Sequence, residues 1–145
     1  MAALPKQMRF SVSHADGSPA ADCMVSVCFE THMKNDYGFL FGPTGPDGTL
    51  VVPEADVVKR ANAEIDDAPM DYHPIEAAFT GYIRASAAGI DILERALEAY
   101  AMYGRRAYPR GYGAALKKAL ETVRRLGRPT LVAEADGCEI AIDES

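Results

Sequence analysis

Apolar and polar residues alternate through much of the first half of the chain and recur every three to four positions in the second, so the expected fold class is α+β. Met8, Phe10 and Val12 share one face of a segment over 8–13. Cys23, Val25, Val27 and Phe29 share a face of a second, with Met24, Ser26, Cys28 and Glu30 on the other. The turn Asp16-Gly17-Ser18-Pro19 lies between them, since Asp–Gly tolerates left-handed backbone and Pro fixes φ. These two segments are predicted to pair antiparallel across that turn. Tyr37–Phe41 and Thr49–Val52 read as two further strands, parted by the breaker-rich stretch Gly42–Gly48.

Pro53 suits the first position of a helix over 53–66, where its missing amide hydrogen is not needed, and Val58, Ala61 and Ile65 would turn inward. Pro74 excludes a continuous helix through 70–74, and 78–85 reads as a strand interrupted by Gly81. Two amphipathic helices follow. Ile90–Gly104 carries Ile90, Leu93, Leu97, Tyr100 and Gly104 on one stripe, and Tyr112–Leu126 carries Tyr112, Ala115, Leu116, Ala119, Leu120, Val123 and Leu126. Leu97, Leu116, Leu120 and Val123 are expected in the main core. Gly127 fits the position after the second helix, whose last turn has Arg124 and Arg125 to complement the dipole. Thr130–Ala133 and Cys138–Ile142 form a terminal hairpin through Glu134–Gly137. The expectation is one α+β domain over 1–145: a mainly β region (8–52), a helix (53–66), a strand (78–85), an antiparallel helix pair (88–126) and a C-terminal β-hairpin (130–142).

The run V-S-H-A-D-G-S-P-A-A-D-C-M-V-S-V, followed by G-P-D-G-T-L, resembles the opening strands of transthyretin-like and carboxypeptidase-regulatory-like β-sandwich modules, in which a D-G-x-P turn leads into the second strand. The resemblance covers Val12–Val27 and Gly45–Leu50 and implies hairpin geometry. In the transthyretin-like hydrolases a histidine near the first strand is catalytic, so His14 is the position that would inherit a role. Those enzymes end in a Tyr-Arg-Gly-Ser motif, where this chain has Ile142-Asp143-Glu144-Ser145, and they lack the helices of 86–126. The geometry is therefore carried over and the activity is not.

Apolar residues make up 48% of the 145 positions against 25% charged, the balance of a folded domain rather than a disordered one. A chain this long buries enough surface to need no disulfide or metal. Its three cysteines show no C-x-x-C spacing, which points to a reducing, cytoplasmic setting. The start, MAALPKQMRF, lacks a signal-peptide core, and no run reaches the roughly 18 apolar residues of a membrane span. The net charge of −6 is segregated: residues 1–83 carry −7, 84–128 carry +6 and 129–145 carry −5.

That segregation makes the basic set the leading candidate surface. Arg105, Arg106, Arg110, Lys117, Lys118, Arg124, Arg125 and Arg128 lie within one short stretch, interleaved with Tyr103, Tyr108 and Tyr112. Guanidinium groups bind carboxylates or phosphates bidentately, and tyrosines supply stacking faces. Glu121 falls inside the stripe at i±4 from Lys117 and Arg125 and should pair with them. The acidic overall charge disfavours nucleic acid, so the expected function is a small interaction or accessory module whose Arg/Tyr-rich helical face meets an acidic protein surface or a second copy. Arg110-Gly111-Tyr112-Gly113 could also present free amides to an anion beside Arg110. Phe41–Gly48 lacks the Lys-Ser/Thr of a phosphate-binding loop.

The alternative is a small hydrolase-like enzyme using His14 or His73 with Cys28, Cys138 or Asp71. His14, His32, Cys28 and Glu30 could gather if the first two strands were neighbours, but the spacing is not that of a zinc site. Asp66, Asp67, Asp71 and Glu76 surround Tyr72 and His73 without calcium-loop spacing. No metal and no cofactor is expected.

Overall fold

In a computed structural model the chain is described over residues 2–33, 35–66, 73–103 and 108–143, apart from the side chains at 64–66 and 103. Its elements in order are β1 (Gln7–Ser13), β2 (Val25–Thr31), β3 (Tyr37–Phe41), β4 (Thr49–Pro53), α1 (Glu54–Asp66), α2 (Ile75–Ala78), β5 (Phe79–Ala87), α3 (Ile90–Tyr103), α4 (Tyr112–Leu126), β6 (Thr130–Ala135) and β7 (Ile140–Ile142). The strands form two sheets, ordered β4-β1-β6 and β3-β2-β5-β7. Met8, Phe10, Val12, Val52 and Leu131 of the first share one buried cluster with Val25, Val27, Phe29, Phe39 and Ile83 of the second. The sheets therefore pack face to face, and alternation along β1 and β2 supplies the facing layers.

The pairing of β1 with β2 is corrected. β1 lies between β4 and β6, whereas β2 lies between β3 and β5. The expected turn does form: the His14 carbonyl accepts from Gly17 N–H at 2.9 Å, and Asp16 Oδ1 accepts from the Ser18 amide and hydroxyl at 2.9 and 2.6 Å. It leads from one sheet to the other. The crossing is fixed by contacts that a local reading misses. Buried Thr44 donates its hydroxyl to Ala20 O at 2.6 Å and accepts from Cys23 N–H at 3.0 Å. Gly48, at φ +77°, sits where a Cβ would overlap the Val12 carbonyl, so the position requires glycine.

The C-terminal region is hairpin-like. A bridge joins Ala135 and Cys138 around Gly137; before it β6 runs along β1 in one sheet, and after it β7 runs along β5, in parallel, in the other. The turn thus clips the two sheets together. On the outer face of the β1/β6 edge, Arg9 makes ion pairs with Glu134 and Asp136 at 2.8 and 2.9 Å.

Pro53 ends β4 and α1 starts at Glu54. The inward positions shift with it: Val57 and Ala61 enter the sandwich core, Val58 is half-buried, and the Ile65 side chain lies outside the described residues. α3 and α4 form the expected helix pair but fill a second cluster rather than the main core. Leu93, Leu116, Leu120 and Val123 pack with Met24, Leu40 and Ala88 on the outer face of the β3/β2/β5 sheet, and Leu97 is only partly buried there. Leu126 is exposed. Gly127 closes α4 at φ +84°, its N–H bonded to Val123 O at 2.8 Å. Among the described residues no helix is long and apolar enough to cross a membrane.

Candidate anion-binding cleft

Arg60 lies at the seam between the two buried clusters. Asp56, Lys59, Arg60 and Ala63 recur at helical spacing along α1, beside the stripe of Val57 and Ala61 that enters the core. This second stripe faces a cavity of about 460 Å³. Phe41 and Gly42 at the end of β3, and Leu50, Val51 and Val52 of β4, form one side; Tyr108, Pro109, Arg110 and Tyr112 at the start of α4 form the other.

Arg60 is 9% exposed. Its guanidinium carbon lies 5.4 Å from the Phe39 ring centroid, 5.3 Å from Phe41, 5.6 Å from Tyr108 and 5.4 Å from Tyr112. Two of these rings belong to the sandwich and two to the helical layer. Tyr108 and Tyr112 stack at 4.6 Å with planes 8° apart, and Tyr100 meets both at an angle. Nη1 of Arg60 donates to Leu40 O at 2.9 Å, satisfying a carbonyl on the edge strand β3.

No carboxylate among the described residues is within ion-pair distance of Arg60. A guanidinium does not neutralise itself on burial, so its charge must be balanced by what surrounds it. The ring faces and one carbonyl provide part of that balance. With Lys59 and Arg110, the lining has three cations against one carboxylate, Asp56, among the described residues. The N-terminus of α4 adds to the same field: Gly111 caps it with φ +80° and no side-chain hydrogen bond, and its first turn holds no acidic residue. Burial pushes the Tyr112 phenol above its usual range, with the charge of Arg60 opposing the shift.

The other basic residues are placed differently. Arg124 pairs with Glu94 of α3 at 2.9 Å and Lys118 with Asp22 at 3.6 Å. Glu121 makes no ion pair with Lys117 or Arg125 among the described residues; the ion pair of α4 with α3 is Arg124–Glu94. Arg128 donates from Nε to Ala87 O at 3.0 Å and from Nη2 to Asp143 O at 3.1 Å, tying the loop before β6 to the ends of β5 and β7. Lys117 and Arg125 are exposed on the outer side of α4. Arg105, Arg106 and Asp71 lie outside the described residues. The expected basic face is thus divided: Tyr108, Arg110 and Tyr112 join the cleft, while Arg124, Lys118 and Arg128 meet partners within the chain.

Among the described residues the hydrolase-like candidates are not joined. No histidine side chain makes a hydrogen bond or ion pair among the described residues, and Nδ1 of His14 is buried without a partner. His14 and Cys28 cannot gather as neighbours in one sheet, because their strands belong to different sheets. Alternation along β2 continues to exposed His32, but among the described residues no hydrogen bond or ion pair joins its side chain to Cys28 or Glu30, and Glu30 Oε2 accepts from the Thr80 hydroxyl at 2.8 Å. Cys28 Sγ instead accepts from Nη2 of Arg84 at 3.4 Å. Burial pushes the Cys138 thiol up, away from the thiolate that nucleophilic attack needs. Exposed His73 contributes its carbonyl, which accepts from the Tyr37 hydroxyl at 2.6 Å. Among the described residues no group of three or more His, Cys, Asp or Glu side chains could hold a metal ion.

Sequence reasoning missed Lys59 and Arg60. The signal was present in the 56, 59, 60, 63 spacing, on the flank of the apolar stripe by which the helix is recognised. Fold and site together define an α+β domain of two facing sheets with a cationic, aromatic-walled cleft. Comparison with family models, with curated proteins and with solved structures gives no match.

Proposed function

We propose that this chain is a binding module that recognises an acidic group through the cleft between α1 and the start of α4. The observation that carries the reading is Arg60, buried among four aromatic rings, without a carboxylate among the described residues, beside Lys59 and Arg110. A charge retained at such a site brings little net stability, which favours a role in recognition. The acidic partner expected for the Arg/Tyr-rich helical face is thereby assigned to one end of that face. The test is a fluorescence anisotropy titration with a labelled acetyl-Glu-Phe-Glu-amide peptide. Lys59→Ala/Arg110→Ala should weaken binding at least tenfold, whereas Arg124→Gln/Arg125→Gln should change it less than twofold. The reverse ranking would return recognition to the outer face of α4. Tighter binding of a single-stranded oligonucleotide than of the peptide would favour nucleic acid instead.

A further inference from the structure

Resting on that reading, the geometry points to a small free carboxylic acid with an apolar body as the occupant of the cleft. Three features of the lining select this class. The volume, about 460 Å³, is that of a small-molecule site, where bound ligands are largely enclosed. One wall is apolar, with Leu50, Val51 and Val52 in succession, and Val51 is 51% exposed although it belongs to a regular strand. Such a surface gains from covering by carbon rather than by a second charged group.

Hydration against the apolar wall chooses between anions. Arg60, Lys59 and Arg110 attract an acid, but Asp56 stands on the same stripe of α1 and opposes further negative charge. The net charge of +2 from these four described side chains accepts either a carboxylate or a dianion, but a phosphate dianion gives up more hydration against the apolar wall. Guanidinium groups suit the planar carboxylate, and the Tyr108–Pro109 segment offers flat surfaces for a ring. The carboxylate is directed to the cationic side and the body lies along β4.

Isothermal titration of the whole chain with phenylacetate, acetate and inorganic phosphate tests the assignment. Phenylacetate should bind at least tenfold more tightly than either acetate or phosphate. Val51→Asp, a change at an exposed position, should weaken phenylacetate at least tenfold, and so should Lys59→Ala/Arg110→Ala, with folding of both variants checked by circular dichroism. Equal affinities for acetate and phenylacetate would overturn the apolar-body assignment, and tighter phosphate binding would overturn the carboxylate. If phenylacetate fails while the acetyl-Glu-Phe-Glu-amide peptide still binds through Lys59 and Arg110, the occupant is a protein segment and this inference falls alone. Failure of both probes removes the cleft reading as well.

Discussion

The sandwich core and the helical layer bury their apolar groups by different routes. In the sandwich, residues two apart on strands of both sheets meet in one layer, and Phe29 touches Phe39 and Phe79 with ring centroids 6.2 and 6.0 Å apart. In the helical layer, α3 and α4 press one stripe each onto Met24, Leu40 and Ala88, the outward residues of a sheet whose inner face is already occupied. The first cluster closes on itself, whereas the second closes on the first. Their seam is where a polar group can be buried yet remain beside open space, and Arg60 stands there with two rings from each side.

The largest expected loss comes from the sandwich. Phe29→Ala removes a fully buried ring and should cost about 3–5 kcal/mol in denaturant melts. Leu116→Ala, equally buried in the helical layer, should cost about 2–5 kcal/mol, and Leu97→Ala clearly less because that side chain is half-buried. A Leu97→Ala cost equal to that of Leu116→Ala would show that the two helices share their burial more evenly. Gly48→Ala should cost more than about 2 kcal/mol, combining left-handed backbone with overlap against the Val12 carbonyl.

Arg60→Met tests the seam itself. The substitution keeps much of the stem volume, loses the attraction to the rings and the bond to Leu40 O, and relieves a buried charge without a described carboxylate. Cation–π attraction of about 0.5–2 kcal/mol and a charge-assisted hydrogen bond of about 1.5–3 kcal/mol stand against a desolvation penalty of several kcal/mol. Near-cancellation is expected, so stability should change by less than about 1 kcal/mol. A loss above about 3 kcal/mol would make Arg60 a structural strut between the two layers.

Tyr112 gives the seam a pH signature. Its folded-state pKa is raised by burial, so its stabilising contribution is complete below the ordinary phenol value near 10 and is lost as pH rises through the raised value. Stability should therefore fall above about pH 10, and Tyr112→Phe should soften that fall. An unchanged alkaline limb in urea melts of the variant would contradict this assignment. The smallest effect is expected at the surface pair: Arg124→Gln, opposite Glu94, should cost no more than about 1 kcal/mol.

The alternation of Met8, Phe10 and Val12 and of Val25, Val27 and Phe29 made the inward faces legible without naming the strands that lie beside them. A turn such as Asp16-Gly17 serves a hairpin or a passage between sheets equally well. The choice depends on Thr44 and Gly48, more than twenty residues from the segments they hold, and period-two patterning carries no such information. The three long helices were legible almost to their ends because the 3.6-residue period is local, whereas the single turn of α2 was not, and which layer the long helices cover is a long-range matter. The cleft was half legible. Tyr108, Arg110 and Tyr112 stood out as a cluster in sequence, whereas Lys59 and Arg60 sit in a helix whose apolar stripe drew the reading to its other side.

Amide chemical-shift mapping during titration with acetyl-Glu-Phe-Glu-amide locates the bound acid on the protein. The largest shifts are expected in residues 41–42, 50–52, 59–63 and 110–113, around the cleft. Shifts concentrated in residues 117–125, on the outer side of α4, would contradict the cleft reading.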